Sequence, residues 1–414
     1  MASQPDPTTS TVSVIRALSV VLMAIVTGCA DASTAASIAA PSPLSSTDDG
    51  SSTATPTFAA AASPMASPTA PAITLPTATA AHARGHLRLT RTMTVDDAEL
   101  YDVEAFDGGF VAGGCRLRTT DDGGVECAEP ALLHSADGRD WSDVELPGDT
   151  DHRILGIAAT PLGLLAMGSD LPSEPPRTRS IWRSDDGVRW EPFDVPAPTS
   201  IVFETAVGIG DRTILLGSDT TSELYFQTEV WTTDGSSWTS GTTPMAGKVA
   251  AHPGLLGIGT ECFSDTCPDD LPLKVYRSTD GLTWTEDADD SAVAEVRIAM
   301  LGSSAGRAIL VDVEPDGAMS DGTTWIDAPD GWQAGHLAGS SGFAPGAILD
   351  VDGLPLIIAR READGAVRAW SSADGKSWTR VSVDGVVDGP IIGAAGTDPI
   401  VLIVGFQSIW IAEN

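Results

Sequence analysis

Beyond residue 84 the chain is written in short apolar runs cut by glycine. Leu164-Leu-Ala-Met167 stands between Gly163 and Gly168, and Thr213-Ile-Leu-Leu216 precedes Gly217. Gly254-Leu-Leu-Gly257, Ala308-Ile-Leu-Val311 and Pro355-Leu-Ile-Ile358 repeat the theme. Runs this short and apolar on both faces predict inner strands covered from two sides. A more polar run follows each time, as in Ser180-Ile-Trp-Arg183, Glu229-Val-Trp231, Lys274-Val-Tyr-Arg277 and Val367-Arg-Ala-Trp370. After a turn comes another polar-apolar run, such as Asp143-Val-Glu-Leu146. The pattern predicts antiparallel strands joined by tight hairpins.

The turn is one phrase used six times. It reads Ser135-Ala-Asp137-Gly138-Arg-Asp-Trp141, Ser184-Asp-Asp186-Gly187-Val-Arg-Trp190, and Thr232-Thr-Asp234-Gly235-Ser-Ser-Trp238. It returns as Ser278-Thr-Asp280-Gly281-Leu-Thr-Trp284, Met319-Ser-Asp321-Gly322-Thr-Thr-Trp325, and Ser372-Ala-Asp374-Gly375-Lys-Ser-Trp378. Asp-Gly suits a hairpin turn because Gly accepts positive φ and the carboxylate accepts bonds from turn amides. The Ser or Thr adds a second side-chain-to-backbone bond, and the Trp is large enough to wedge between sheets. Successive tryptophans of the phrase lie 41 to 53 residues apart. That interval holds about four short strands, the size of one propeller blade. Arg84 to Asn414 has room for seven.

The phrase resembles the Asp box of sialidase-type (BNR-repeat) β-propellers, Ser-x-Asp-x-Gly-x-x-Trp, one residue shorter between Asp and Gly. The resemblance implies an all-β, seven-bladed propeller of four-stranded antiparallel blades, with each box in the turn between third and fourth strands. It implies fold more strongly than function, because such propellers serve hydrolases, receptors and assembly factors. A sialidase would also need a Phe/Tyr-Arg-Ile-Pro motif, an arginine triad and a Tyr–Glu nucleophile pair. The nearest phrase here, Val296-Arg297-Ile298-Ala299, lacks the proline. No catalytic residue is assigned, and among 57 acidic residues no particular carboxylate pair stands out for glycosidase chemistry. Neither the histidines nor Asp350-Val-Asp352-Gly353 make a metal set, so no metal and no cofactor is expected.

The end of the chain carries the ring's topology. Pro390-Ile-Ile392 and Ile400-Val-Leu-Ile-Val404 supply two strands of a seventh blade, and Ser408-Ile-Trp410 copies Ser180-Ile-Trp182. The chain then stops before a fourth strand. His86-Leu-Arg-Leu-Thr-Arg-Thr-Met93, unassigned at the other end, is expected to complete that blade and close the ring.

Composition sets the compartment. Residues 1–29 read as an export signal: Arg16, an apolar run from Ala17 to Val26, then Val26-Thr27-Gly28-Cys29. The last four resemble the bacterial lipobox, which implies a lipid on Cys29 and a lipoprotein of the cell envelope or surface. Residues 30–83, nearly all Ala, Ser, Thr and Pro, cannot bury enough surface to order themselves and are expected to be a tether. The folded domain is then 84–414. A formal net charge of −34 argues against nucleic-acid partners and leaves the lipid as the expected membrane contact. Cys115 and Cys127 bracket one hairpin loop, as do Cys262 and Cys267. Each near pair is the natural disulfide among three possible connectivities in an oxidising compartment.

These loops, between second and third strands, open on the same face as the connections between blades, while the boxes open on the other. Ligand recognition is expected on the loop-rich face, with Trp332, His336 and Phe343 of the connector between blades 5 and 6 as candidate contacts. The sequence thus predicts a monomeric, anchored, non-enzymatic binding or assembly module for a surface protein or glycan. The alternatives are a glycoside hydrolase or lyase acting on polysaccharide, and a structural envelope protein.

Overall fold

The structure is a computed structural model. It describes residues 86–413 apart from 122, 149–151, 171–178, 222–227, 252–253, 261–272, 288–292, 294–295, 297–298, 305, 315–316, 320–321, 352 and 398–399. Cys29, the 30–83 segment, Cys262, Cys267 and Asp321 lie outside the described residues.

Among the described residues there are strands and turns and no helix. Five four-stranded sheets and one of eight strands account for the chain from Ala98 onward, joined by the N-terminal strand. Blade 1 shows the plan: inner strand Ala98–Phe106, second strand Gly109–Thr119, third strand Val125–Ser135 and outer strand Ser142–Asp143, all antiparallel. Blades 2 to 6 repeat it from the inner strands His152–Thr160, Ile201–Ile209, Ala246–Ala251, Ala299–Ser304 and Ala344–Val351.

The eight-stranded sheet is blades 6 and 7 joined edge to edge. Blade 7 has Ile391–Thr397, Ile400–Gly405 and Ser408–Glu413, and its outer strand is the N-terminal His86–Thr94. That strand runs antiparallel to Ser408–Glu413, with Leu89 opposite Ala412 and Met93 opposite Ile409. Its first residues also run parallel to the outer strand of blade 6, with Leu87 opposite Val383. The expected closure is therefore present, and Leu87 is buried in the seam it makes.

Seven apolar clusters decide the blade count. Each fills one seam between neighbouring blades. Val111 and Leu132 meet Ile154 and Ala166 between blades 1 and 2. Leu402 and Val404 meet Leu100, Phe110 and Leu133 between blades 7 and 1. Leu165, Leu215, Leu256, Ile309, Ile357 and Leu402 of the second strands are fully buried, as expected for strands covered on both faces. The inner strands touch in order around the ring and line its axis.

The repeated turn falls between third and outer strands in blades 1, 2, 3, 4 and 6. In blade 5 the expectation fails. Gly322 precedes the third strand, Thr323–Ala328, and Trp325 lies inside it. The hairpin to the outer strand, Gly331–His336, is the tighter Ala328-Pro329-Asp330-Gly331 turn, with Gly331 at φ 97°. Trp332, not Trp325, then starts the outer strand, 48 residues after Trp284 and 46 before Trp378. The uneven intervals of 41 and 53 residues around Trp325 mark a phrase out of register.

Candidate functional site

At the turn end the polar groups are spent on the turn itself. In blade 2, Ser184 Oγ accepts from Gly187 N at 2.9 Å, and Asp186 Oδ1 accepts from Val188 N and Arg189 N at 2.9 and 2.7 Å. Trp190 Nε1 donates to Gly187 O at 3.0 Å. Blades 1 and 4 reproduce this set. In blade 6 the indole of Trp378 turns to Thr324 Oγ1 of blade 5, at 3.0 Å. Blade 3 uses Thr233 in place of the serine, and Asp234 accepts from Ser236. Amide donors hold Asp137 and Asp186 below the usual carboxylate range. Asp374 goes to about 2: Ser377 and Lys376 amides outweigh partial burial, which acts the other way. Gly187 at φ 72° is needed twice over, since a Cβ there would also meet the Phe106 ring at 2.6 Å. Trp332, lacking this loop, has a buried Nε1 with no partner among the described residues.

The loop-rich end is chemically different. The Cys115–Cys127 disulfide ties the second and third strands of blade 1. Tyr101 lies against it, its hydroxyl 3.3 and 3.2 Å from the two sulfurs and 3.0 Å from Glu99 Oε2. Burial, then the Glu99 charge, pushes the phenol up, and Arg153 of blade 2 opposes this. Glu99 and the two sulfurs are close enough to suggest a metal site, but oxidised cysteines have no thiolates to offer.

Further along the same inner strand come Asp102 and Glu104. Asp102 is part-exposed along the axis yet walled by protein. Its Oδ1 accepts from Val103 N at 2.8 Å and its Oδ2 from Ile157 N of blade 2 at 2.7 Å. Burial nevertheless raises it to about 6, against those two bonds. Glu104, bonded to the Ala159 amide, is raised to about 8 by burial and then by the Asp102 charge. Burial, joined at Glu104 by the Asp102 charge, holds both carboxyls above the usual range, so the pair is suited to donating as well as accepting near neutrality.

The three aromatic and histidine candidates do not form a ligand face. Trp332 is buried in the seam between blades 4 and 5, and Phe343 is buried between blades 5 and 6 against Trp370, beneath Arg361 and Arg368. Trp332 and His336 belong to the outer strand of blade 5, not to a connector, and His336 alone is exposed. Asp350 serves a hairpin turn: its Oδ1 takes Gly353 N at 2.7 Å. Sequence reasoning missed Asp102 and Glu104. Their signal was an acidic pair at inner-strand positions that hold Gly156 and Ala158 in blade 2 and Gly393 and Ala395 in blade 7.

No family model matches the chain, and no curated protein matches it. Solved structures do. The acylaminoacyl peptidase of Pyrococcus horikoshii aligns over 77% of this chain and 52% of its own, at 11% identity and a TM-score of 0.50. The chain therefore spans about half of that peptidase. "YCF48 bound to D1 peptide" aligns over 79% of this chain and 96% of its own, at 14% identity and a TM-score of 0.49. The β-propeller domain of the Trilobed protease from Pyrococcus furiosus aligns over 77% and 94%, at 12% identity and 0.47. Likenesses this distant speak to fold alone. The protein is a β-propeller with seven four-stranded blades.

Proposed function

We propose that this chain is an envelope-displayed binding module, an Asp-box propeller of the sialidase-like kind that takes a surface protein or glycan at its loop-rich end. A lipid on Cys29 holds it, and the 30–83 segment lifts the ring off the membrane. The observation that carries the reading is the contrast in polar accounting between the two ends. The turn carboxylates are committed to their own amides. The loop-rich end presents Glu99 and Tyr101, with Asp102 and Glu104 further along the same inner strand, all part-exposed. In the test, wild-type full-length chain and a Glu99→Gln/Tyr101→Phe variant are offered a printed panel of envelope glycans and peptides. The reading expects a specific ligand for the wild type and its loss in the variant. Equal binding by both would refute it. Cys29→Ala should release the protein from the membrane fraction or leave an uncleaved precursor.

A second reading, hydrolase or lyase action on polysaccharide, is favoured by one observation: two inner-strand carboxyls, two residues apart, that burial holds above the usual carboxylate range. Alternate residues of a strand sit roughly 7 Å apart, within the range of carboxylate pairs that cleave glycosides. Reducing-end release from the same glycans, abolished by both Asp102→Asn and Glu104→Gln, would establish it. Absence of release from every glycan that binds would exclude it.

A further inference from the structure

The chain has three lysines, and two have evident surroundings. Lys274 pairs with Glu286 at 3.2 Å, and Lys376 is exposed on the turn of blade 6. Lys248 is different. It stands on the inner strand of blade 4 opposite Ile258, the rung that Asp102 occupies opposite Gly113 in blade 1. Gly156, Thr205, Ala347 and Gly393 hold that rung in four other blades. In those six blades this height of the axis wall carries one cation and one carboxylate. Blades 1 and 4 are three steps apart in a ring of seven, so the two residues stand on opposite sides of it.

Lys248 is reached by solvent, yet burial draws its ammonium down. A group that water reaches and protein surrounds lies in a walled space, not on an outer surface. No carboxylate meets it among the described residues, although the chain carries a formal net charge of −34. An unpaired ammonium held in such a place costs free energy that an incoming carboxylate would recover. A plain anion is a poor candidate, because the field of the whole molecule and Asp102 both repel it. A compound with no net charge enters without that penalty and can meet both walls.

We propose that the axis of the ring binds a small zwitterion, its carboxylate on Lys248 and its ammonium on the Asp102–Glu104 pair. This deepens the loop-rich-end reading and rests on it, since the ligand enters past Tyr101 and Glu99. The ligand class is an amino acid or amino-acid-like end group whose two charges span the distance between the walls.

Three lysines make a direct experiment possible. Reductive methylation of the full-length chain with ¹³C-formaldehyde keeps each charge and gives three lysine side-chain signals, assigned through Lys248→Gln, Lys274→Gln and Lys376→Gln. Glycine, β-alanine, 4-aminobutyrate and 6-aminohexanoate then act as a ruler, with acetate and butylamine as single-charge controls. The Lys248 signal should shift with one length of the series, more than with acetate, while the Lys274 and Lys376 signals stay still. In calorimetry, Lys248→Gln and Asp102→Asn should each weaken the best ligand at least about tenfold, and Lys376→Gln should not. Lys248→Arg, which keeps the charge, should retain more affinity than Lys248→Gln, and the unsubstituted chain's ruler spectrum decides if a variant does not fold. The proposal is overturned if no member of the series moves Lys248, or if acetate moves it as far as the best zwitterion. Failure of the ruler with glycan or peptide binding still lost in Glu99→Gln/Tyr101→Phe removes the axis site and leaves the broader reading. Ruler binding with no effect of that double variant does the reverse.

Discussion

The two ends of the ring use acidic residues in opposite ways. At the turn end, Asp186 and Asp374 lie near the surface and are stabilised as carboxylates by two amides each. At the axis of blade 1, Asp102 also receives two amides, one from the neighbouring blade, yet ionises less readily than an ordinary aspartate. The difference is solvation. Amide bonds lower a carboxyl when water can still reach it freely, and burial overrides them when protein walls it in. One end is satisfied within itself. The other keeps titratable groups whose ionisation the surrounding protein opposes.

The largest expected loss comes from the joint that holds both ends in register. Deleting residues 86–93 removes the outer strand of blade 7, the parallel contact with blade 6 and buried Leu87. Roughly 5 kcal/mol or more should go with the ladder and its buried surface, seen as a large fall in melting temperature. An unchanged melting curve would mean that the ring does not depend on this strand.

Next come the wedges. Trp190 and Trp332 are both buried, one with the full turn behind it and one without. Replacing either with Ala should cost about 3–5 kcal/mol in denaturant unfolding. If Trp332→Ala were neutral, the assignment of Trp332 to the place of the repeated tryptophan would be wrong.

This is also where the sequence misled, and the reason is physical. Local chemistry makes Asp-Gly a turn wherever it occurs, but only strand pairing says which turn. The order of strands, the seven seams and the closure by His86–Met93 were legible, because apolar periodicity and spacing are global signals. Blade 5 was misread because Asp321-Gly322-Thr-Thr-Trp325 has the right letters with its Trp seven residues ahead of Trp332. Trp332 and Phe343 were read as ligand aromatics because a one-dimensional pattern cannot distinguish an exposed ring from one sealed in a seam. Asp102, Glu104 and Lys248 were invisible for another reason. Charged residues are common here, and only the ladder register puts these three on the axis.

A smaller effect separates the ends by pH. Asp374, lowered to about 2, contributes stability that is present above the unfolded value of roughly 3.9 and is lost as pH falls through about 2. Asp374→Ala should cost about 1–2 kcal/mol at pH 7 and much less near pH 2. Glu104 has the opposite sign. Its folded value of about 8 lies above the unfolded value of roughly 4.3, so its contribution is full below 4.3 and declines as pH rises toward 8. Glu104→Gln keeps an acceptor for Ala159 N and should flatten that decline, raising the melting temperature at pH 8 by about 2–4 °C. Identical pH profiles for wild type and Glu104→Gln would contradict the walled-in carboxyl.

The division of labour between the ends is tested most directly by a paired measurement on one ligand found with the glycan and peptide panel. Melting temperature and dissociation constant are determined together for Trp190→Ala and for Glu99→Gln/Tyr101→Phe, well below either melting point. The account predicts that Trp190→Ala melts several degrees lower and binds as the wild type does, whereas the double variant melts within about 2 °C of wild type and binds at least about tenfold more weakly. Loss of binding in Trp190→Ala with full affinity in the double variant would place recognition at the turn end and contradict the account.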